Sequence, residues 1–378
     1  MNYSQRECKK QERGLALMMT MVLLFVMVIL VAEMMFTSEV QKVISENLTD
    51  DHLSFYAEEA LLLRIEEILF QDIQPPPMKP EEELFLTEEE RERLQSKKGT
   101  DSYHDYWATF RDVEKNSETS MTARIIDEER KFNVNTLFDP KSNQSIEKRV
   151  ELFKAILNTI GIKEVEHRGF VDEVQDFIDR NKTGKYEELA PNRPLQRIKE
   201  MIPMEHVGKE IFYGLNYPQG ELTFVEELNE IDFNDFPEED KEEVIGPFSS
   251  TKAPPFEEWD EDQFIPGVKD VFTVYGEGKI NINTAPFPIL LAMFNDDQEV
   301  AKDIVLARKK KAFQSIADLG SVSNASERAN YYNDLITFQS KYFKVEISIR
   351  NRHVLRQRVS VMMRDGPNAL TLFRGASL

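Results

Sequence analysis

Between Leu15 and Ala32 the chain runs for 18 residues, LALMMTMVLLFVMVILVA, without a charge, a proline or a glycine. One helix of that length crosses a hydrocarbon core of about 30 Å. The stretch therefore commits the chain to a membrane, with a single pass. Ahead of it stand Arg6, Lys9, Lys10 and Arg13 against only Glu7 and Glu12. The positive-inside bias keeps this head in the cytoplasm and sends the large remainder across the bilayer.

The edges of the apolar stretch are informative. A secretory signal ends in small residues read by signal peptidase, whereas this one runs into Glu33, Met34, Met35 and Phe36 with no Ala-x-Ala pattern. The small residue comes first instead. Arg13-Gly14-Leu15 followed by a long apolar helix resembles a type IV prepilin or pseudopilin leader, which a membrane peptidase cuts after the glycine. That resemblance implies cleavage between Gly14 and Leu15, N-methylation of Leu15 and a helix left attached to the mature chain. An uncut signal anchor with an incidental Gly14 is the alternative the residues leave open.

The chain has a net charge of −21 and is more acidic still without its first 14 residues, which carry four basic and two acidic side chains. Such a balance opposes nucleic-acid binding, because affinity for phosphate comes from Lys and Arg. The sole cysteine, Cys8, lies in the leader, so the exported part forms no internal disulfide and relies on packed cores. Past the membrane stretch, Val40, Val43, Ile44, Leu48, Ala57, Ala60, Leu61, Ile65, Ile68 and Leu69 recur at three- and four-residue spacings. This pattern predicts an amphipathic helix ending by Pro75-Pro76-Pro77, and hence a rod of roughly 90 Å from Leu15 to Ile73. Its lower half meets membrane or neighbours and its upper half docks on a head domain.

Further along, EEELFLTEEERERL reads as an exposed helix, Lys97 to Thr100 as a turn, and Thr122–Asp127 as a strand. The phrase Phe132-Asn133-Val134-Asn135-Thr136-Leu137 returns as Ile280-Asn281-Ile282-Asn283-Thr284-Ala285. Helices are expected at 146–160 and 167–179 after the first copy, and at 287–294 and 298–310 after the second. Asparagine and threonine at these strand exits suit helix capping and turn formation. Phe343, Val345, Ile347 and Ile349 alternate with polar residues, a strand with one buried face, and Asn351-Arg352-His353 fits a turn to a second strand at Val354–Met363.

GEGKININTAP, followed by Ile304, Arg308, Phe313 and Asp318-Leu319, resembles the K-type minor pseudopilin of the type II secretion system. The stretches Asp127–Asn135, Asp176–Asp179 and Ala190–Pro194 before a helix at 195–201 follow that family's order. The resemblance implies an α+β fold: a long membrane-spanning N-terminal helix and a pilin-like antiparallel head carrying a large, mostly helical insertion with helix-hairpin-helix-like units. It divides the chain into a leader at 1–14, the helix at 15–74, and the first part of the head at 75–135. An inserted helical domain at 136–270, a strand plus second helix pair at 271–340 and a C-terminal hairpin at 341–378 complete it. The strands near Thr122–Asp127 and Phe272–Tyr275 are expected to join the C-terminal pair.

The function implied is that of a subunit which initiates and caps the pseudopilus, with no catalytic activity of its own. Its implied partners are I-like and J-like minor pseudopilins, the major pseudopilin, prepilin peptidase and the inner-membrane secretion platform. The implied location is the bacterial inner membrane, with the bulk of the chain periplasmic. Pilin-like proteins usually carry glutamate as the fifth mature residue, and here that position is Met19. A lone carboxylate in hydrocarbon is costly unless it meets a partner; without it the subunit lacks the usual grip on a neighbour. K-type proteins share this absence and are thought to sit at the filament tip.

Some relatives bind calcium, and acid-rich loops occur at Asp232–Glu243 and Glu257–Asp262, but neither matches an EF-hand and no ligands are assigned. Where related helix-hairpin-helix units bind phosphate through glycines, this chain has Asn295-Asp296-Asp297, although the run Arg308 to Lys311 is basic. The alternative function is an envelope-anchored protein that contacts secreted substrate, secretin or DNA. No nucleophile elbow, Walker A or His-Glu-x-x-His motif occurs, and the five histidines have no ligand-pair spacing. No catalytic or cofactor-binding residue is assigned.

Overall fold

The computed structural model describes residues 4–73, 99–110, 114–115, 119–139, 144–180, 183–188, 190–215, 265–351, 354–365 and 368–375. The expected helix after Glu81, both acid-rich loops and the turn residues Arg352 and His353 lie outside them. Helix α1 runs unbroken over Ser4–Ile73, about 105 Å at 1.5 Å per residue.

Strands β1 (Glu114–Lys115) and β2 (Thr119–Asp127) open the head sheet. It closes at the far end of the chain with β9 (Tyr342–Asn351), β10 (Val354–Asp365) and β11 (Asn368–Gly375), in the order β1-β2-β9-β10-β11 with antiparallel neighbours. Alternation along β9 puts Phe343, Val345, Ile347 and Ile349 on one face. There they pack with Ala123 and Ile125 of β2 against Leu61, Leu62, Ile65, Ile68 and Leu69 of α1. Trp107 on a one-turn helix, Tyr106–Thr109, closes this core, its ring edge-on to Phe343 at 5.1 Å. The sequence suggests a C-terminal hairpin, and the chain forms three strands. The third, Asn368–Gly375, pairs antiparallel with β10, and an irregularity between Val361 and Met362 shifts its register.

Among the described residues between β2 and β9, the buried apolar side chains from Phe132 to Ile336 form a second core. It is built twice from one plan. In the first unit β3 (Phe132–Asn133) leads to α2 (Glu147–Thr159), α3 (Glu164–Ile178), a 3-10 turn at Ile198–Met201 and α4 (Gly208–Tyr213). The antiparallel pair β4 (Gly214–Leu215) and β5 (Ile265–Pro266) brackets residues 216–264, and β6 (Phe272–Thr273) returns parallel to β3. The second unit runs from β7 (Ile280–Asn281) through α5 (Phe287–Met293), α6 (Gln298–Lys310), a turn of helix at Ile316–Leu319 and α7 (Ser326–Tyr331). It ends at β8 (Ile336–Thr337), parallel to β7. Parallel neighbours need a crossover, and the helices supply it.

The repeated asparagines explain why the phrase occurs twice. Asn133 Oδ1 accepts the Asn135 amide at 3.0 Å, and Asn281 Oδ1 accepts the Asn283 amide at 3.0 Å. Asn135 exchanges two bonds with the backbone of Leu195, at 2.8 and 2.9 Å, and Asn283 does the same with Phe313 at 2.8 and 2.9 Å. Downstream, Glu200 accepts the amides of Gln196 and Arg197, as Asp318 accepts those of Gln314 and Ser315. Each asparagine staples its strand exit to the connection that follows its helix pair.

Two strand-and-helix expectations are corrected here. Phe272–Tyr275 does not join the head sheet; only Phe272 and Thr273 are strand, and they pair with β3. Phe272 is fully buried among Phe132 and Phe153, with ring centroids 6.1 and 5.0 Å away, so its apolarity belongs to the helical core. The helix expected at 195–201 shrinks to the 3-10 turn Ile198–Met201, because both backbone groups of Leu195 are taken by the Asn135 side chain.

Candidate assembly interface

α1 is the one helix among the described residues long and apolar enough to cross a membrane. From Leu17 to Phe36 its large apolar side chains are all exposed, Met19 among them. Thr20, polar in this stretch, satisfies its hydroxyl on the Leu17 carbonyl at 2.8 Å. Gly14 and Leu15 lie within the helical span, with their side chains outside the described residues.

At 100° per residue, Val40 and Val43 project on the same side of α1 as Ser54, Glu58, Leu61 and Ile65. The upper members of this stripe are sealed by the sheet; Val40, Val43, Ile44 and Leu48 are exposed. Higher up, Tyr56 and Leu63 are exposed on the side of α1 away from the sealed face, whereas Phe55 lies under the Arg356 guanidinium, 5.5 Å from its ring centroid. One helix thus offers a sealed apolar face, a bare continuation of it below, and a bare pair behind.

An acid–arginine seam that the sequence reading missed fixes the sealed face. Glu58 is 1% exposed and accepts Arg356 Nε at 2.6 Å, with Arg358 Nε at 3.7 Å. Arg356 also meets Asp51 at 3.0 Å, and Arg374 on β11 pairs with Glu59. Asp50 lies 3.4 Å from Asn351 Nδ2. The available signal was the polar trio Asp50, Ser54, Glu58 at four-residue spacing opposite Arg356 and Arg358 at strand spacing.

A buried polar hub fastens the helical core to the head. Asn281 Nδ2 donates to the Asp101 carbonyl at 3.0 Å, to Asp127 Oδ2 at 3.1 Å and to Ser340 Oγ at 2.9 Å. Thr284 and Ser340 donate to the same Asp127 oxygen at 2.5 and 2.6 Å. Burial raises Asp127 to about 6 despite these donors. Its neighbour Glu129, receiving the Lys341 amide at 2.6 Å, is raised to about 7 by burial and by the Asp127 charge. Arg308, the first of the basic run, is not a surface charge. It is buried and donates to the carbonyls of Ile282 and Ala285 at 2.9 and 2.7 Å, leaving only Lys309 to Lys311 exposed. At the α5–α6 corner Asn295 and Asp296 take positive φ, 63° and 56°, where a phosphate-binding hairpin would present glycines.

The second unit, bounded by β7 and β8 and carrying Asn281, Asn283, Thr284, Arg308, Phe313 and Asp318, is also the segment that matches a known family model. Residues 280–337 match the model for type II secretion system protein K. Over that unit the chain is similar to the protein K family. A protein K from Pseudomonas aeruginosa is 25% identical over 238 residues, covering 61% of this chain and 58% of that protein. A chain in the crystal structure of the GspK-GspI-GspJ complex from enterotoxigenic Escherichia coli shares the fold, with a TM-score of 0.54 and 13% identity. The match covers 85% of the present chain and 94% of that one. The shared fold is a mixed α and β structure in which a long apolar helix, an antiparallel sheet and a helical core are joined.

Proposed function

We propose that this chain is a minor pseudopilin that initiates and caps the pseudopilus of a type II secretion system, without catalytic activity of its own. On this reading prepilin peptidase cuts between Gly14 and Leu15, Leu15 is methylated, and α1 anchors the chain in the inner membrane with its head in the periplasm. The observation that carries the reading is the split face of α1: the sheet seals Leu61, Leu62, Ile65, Ile68 and Leu69, while Val40, Val43, Ile44 and Leu48 on the membrane side of the head stay bare. Apolar surface burial drives helix association outside the bilayer, and I-like and J-like pseudopilins, named in the complex that shares this fold, are the proposed occupants. Met19 in place of glutamate removes the carboxylate that would hold an identical copy below, which suits a terminal position. The added helical core also suits a tip, since its bulk would obstruct stacking of identical subunits.

The test has two arms. N-terminal sequencing of the protein from membranes is expected to begin at Leu15, and the chain is expected to co-purify with I-like and J-like partners. Recovery with Met1 in place, or long homopolymers formed by this chain alone, would refute the reading. The DNA-binding alternative is disfavoured by the burial of Arg308 and by the acidic hairpin at Asn295–Asp297.

A further inference from the structure

The two apolar cores of the molecule are separate clusters. Between them lies the polar hub, built around two carboxylates at the end of β2, Asp127 and Glu129, which are 2% and 4% exposed. Apart from the Glu129 amide on Asp127 Oδ1 at 2.8 Å, their donors belong to the segments that enter and leave the second unit. Asn281 and Thr284 reach Asp127 from the β7 exit, and Ser340 reaches it from the link ahead of β9. Glu129 Oε2 holds the Lys341 amide of that link at 2.6 Å, and its Oε1 takes the Glu277 amide ahead of β7 at 3.4 Å.

Among the described residues no cation contacts either acid. Lys341 gives its ammonium to Glu277 at 2.8 Å, Lys131 pairs with Glu128 at 3.3 Å, and Arg364 binds Asp72 and Asp101. Arg130, next in the chain, bonds to neither acid. The other titratable groups that face the pair are Asp101 of the 99–105 segment, Glu277 and Tyr342, and none of them brings positive charge. Buried carboxylates without a counter-charge favour their protonated forms. Burial raises Asp127 to about 6, and burial together with the Asp127 charge raises Glu129 to about 7. A neutral Asp127 still fits the hub, because the Thr284 hydroxyl can turn to the Asn281 carbonyl, 3.4 Å away, and accept the proton of the acid. Two ionised acids are poorly held, since the groups that touch them are neutral dipoles. We propose that Asp127 and Glu129 make this joint a proton-operated latch, which holds the second unit to the head while the acids are protonated and loosens as they ionise. A polar interface between two separate cores can part without exposing either. In the closed joint each acid holds its proton more tightly than it does in water; the latch is therefore fully closed below about pH 4 and loosens as pH climbs through about 6 and 7.

The experiment follows the full chain in detergent by hydrogen exchange and mass spectrometry between about pH 5.5 and 8, with exchange times scaled for the intrinsic pH dependence of amide exchange. Peptides covering 277–284 and 338–342 are expected to lose protection by about tenfold, the factor that one unit of pKa separation carries, while those of α2, α3 and β10 keep theirs. Glu129→Gln, which keeps an acceptor for the Lys341 amide, is expected to retain most of the protection that the wild type loses above about pH 6. Adding Asp127→Asn is expected to remove the remaining dependence; should that double variant not fold, Glu129→Gln alone decides. Protection at the joint that does not change with pH overturns the latch. So does a loss spread equally over α2, α3 and β10, or a Glu129→Gln chain whose joint loosens above about pH 6 as the wild type does.

Discussion

Asn283 offers the sharpest test of why one phrase appears twice in this chain. Its side-chain amide reaches across 30 residues to donate to the Phe313 carbonyl at 2.9 Å and to accept the Phe313 amide at 2.8 Å, at a site 1% exposed. Asn283→Ala removes both bonds and strands a buried N–H and a buried C=O. Each stranded group costs about 1–3 kcal/mol, so the total should be on the order of 2–6 kcal/mol. Asn135 makes the equivalent exchange with Leu195 at a half-buried site, where water can reach the orphaned groups. Asn135→Ala should therefore cost less, about 1–2 kcal/mol. Asn283→Asp separates the two bonds: the carboxylate still accepts from Phe313 N–H but faces the Phe313 carbonyl with a second acceptor. Folding then favours the protonated acid, which can donate. The folded-state pKa is raised, and the stability lost at neutral pH returns as pH falls through it. Thermal and denaturant unfolding of the full chain in detergent, followed by circular dichroism at pH 5 and pH 7.5, measures all three. Equal, sub-kilocalorie losses for both alanine variants, or an Asn283→Asp variant indifferent to pH, would refute the staple.

Glu129 is raised from 4.5 to about 7, so the folded state holds its proton longer than the unfolded chain does. Its contribution is therefore intact below about 4.5 and is lost as pH climbs to about 7, by on the order of 1–3 kcal/mol; Glu129→Gln should flatten the pH dependence of melting. Arg356→Met leaves Glu58 buried beside only the more distant Arg358, and a loss of about 2–4 kcal/mol is expected. Adding Glu58→Gln should recover part of it in a double-mutant cycle. Val43→Glu with Ile44→Glu, both at exposed positions, should leave the melting temperature within about a degree of wild type while abolishing co-purification with I-like and J-like partners. Gly14→Leu should keep the leader on, which intact mass spectrometry of membrane-extracted protein detects as the retained 14 residues.

Much of this molecule was legible because its signals are local. The apolar run at Leu15–Ala32, the alternation along Phe343–Ile349 and the spacing of the helix pairs each report a single element and its buried side. The missed features are those whose meaning lies in a distant partner. Phe272 and Val345 are both apolar residues in short strand-like runs, yet one belongs to the helical core and the other to the sheet. Arg308 reads as the first residue of an exposed basic run until two carbonyls at Ile282 and Ala285 are found beneath it.

By itself, then, the sequence determined that the chain enters a membrane by its first helix, that an antiparallel strand pair lies near its end and that one asparagine phrase is used twice. Periodicity and hydropathy depend on neighbours a few residues away, and such properties survive without coordinates. Only the tertiary structure decided which face of α1 is sealed and which is bare, that the phrase marks two parallel-stranded units sharing one core, and that Arg308 turns inward onto two carbonyls. Each of those depends on groups tens to hundreds of residues apart, brought together by burial that no local pattern encodes.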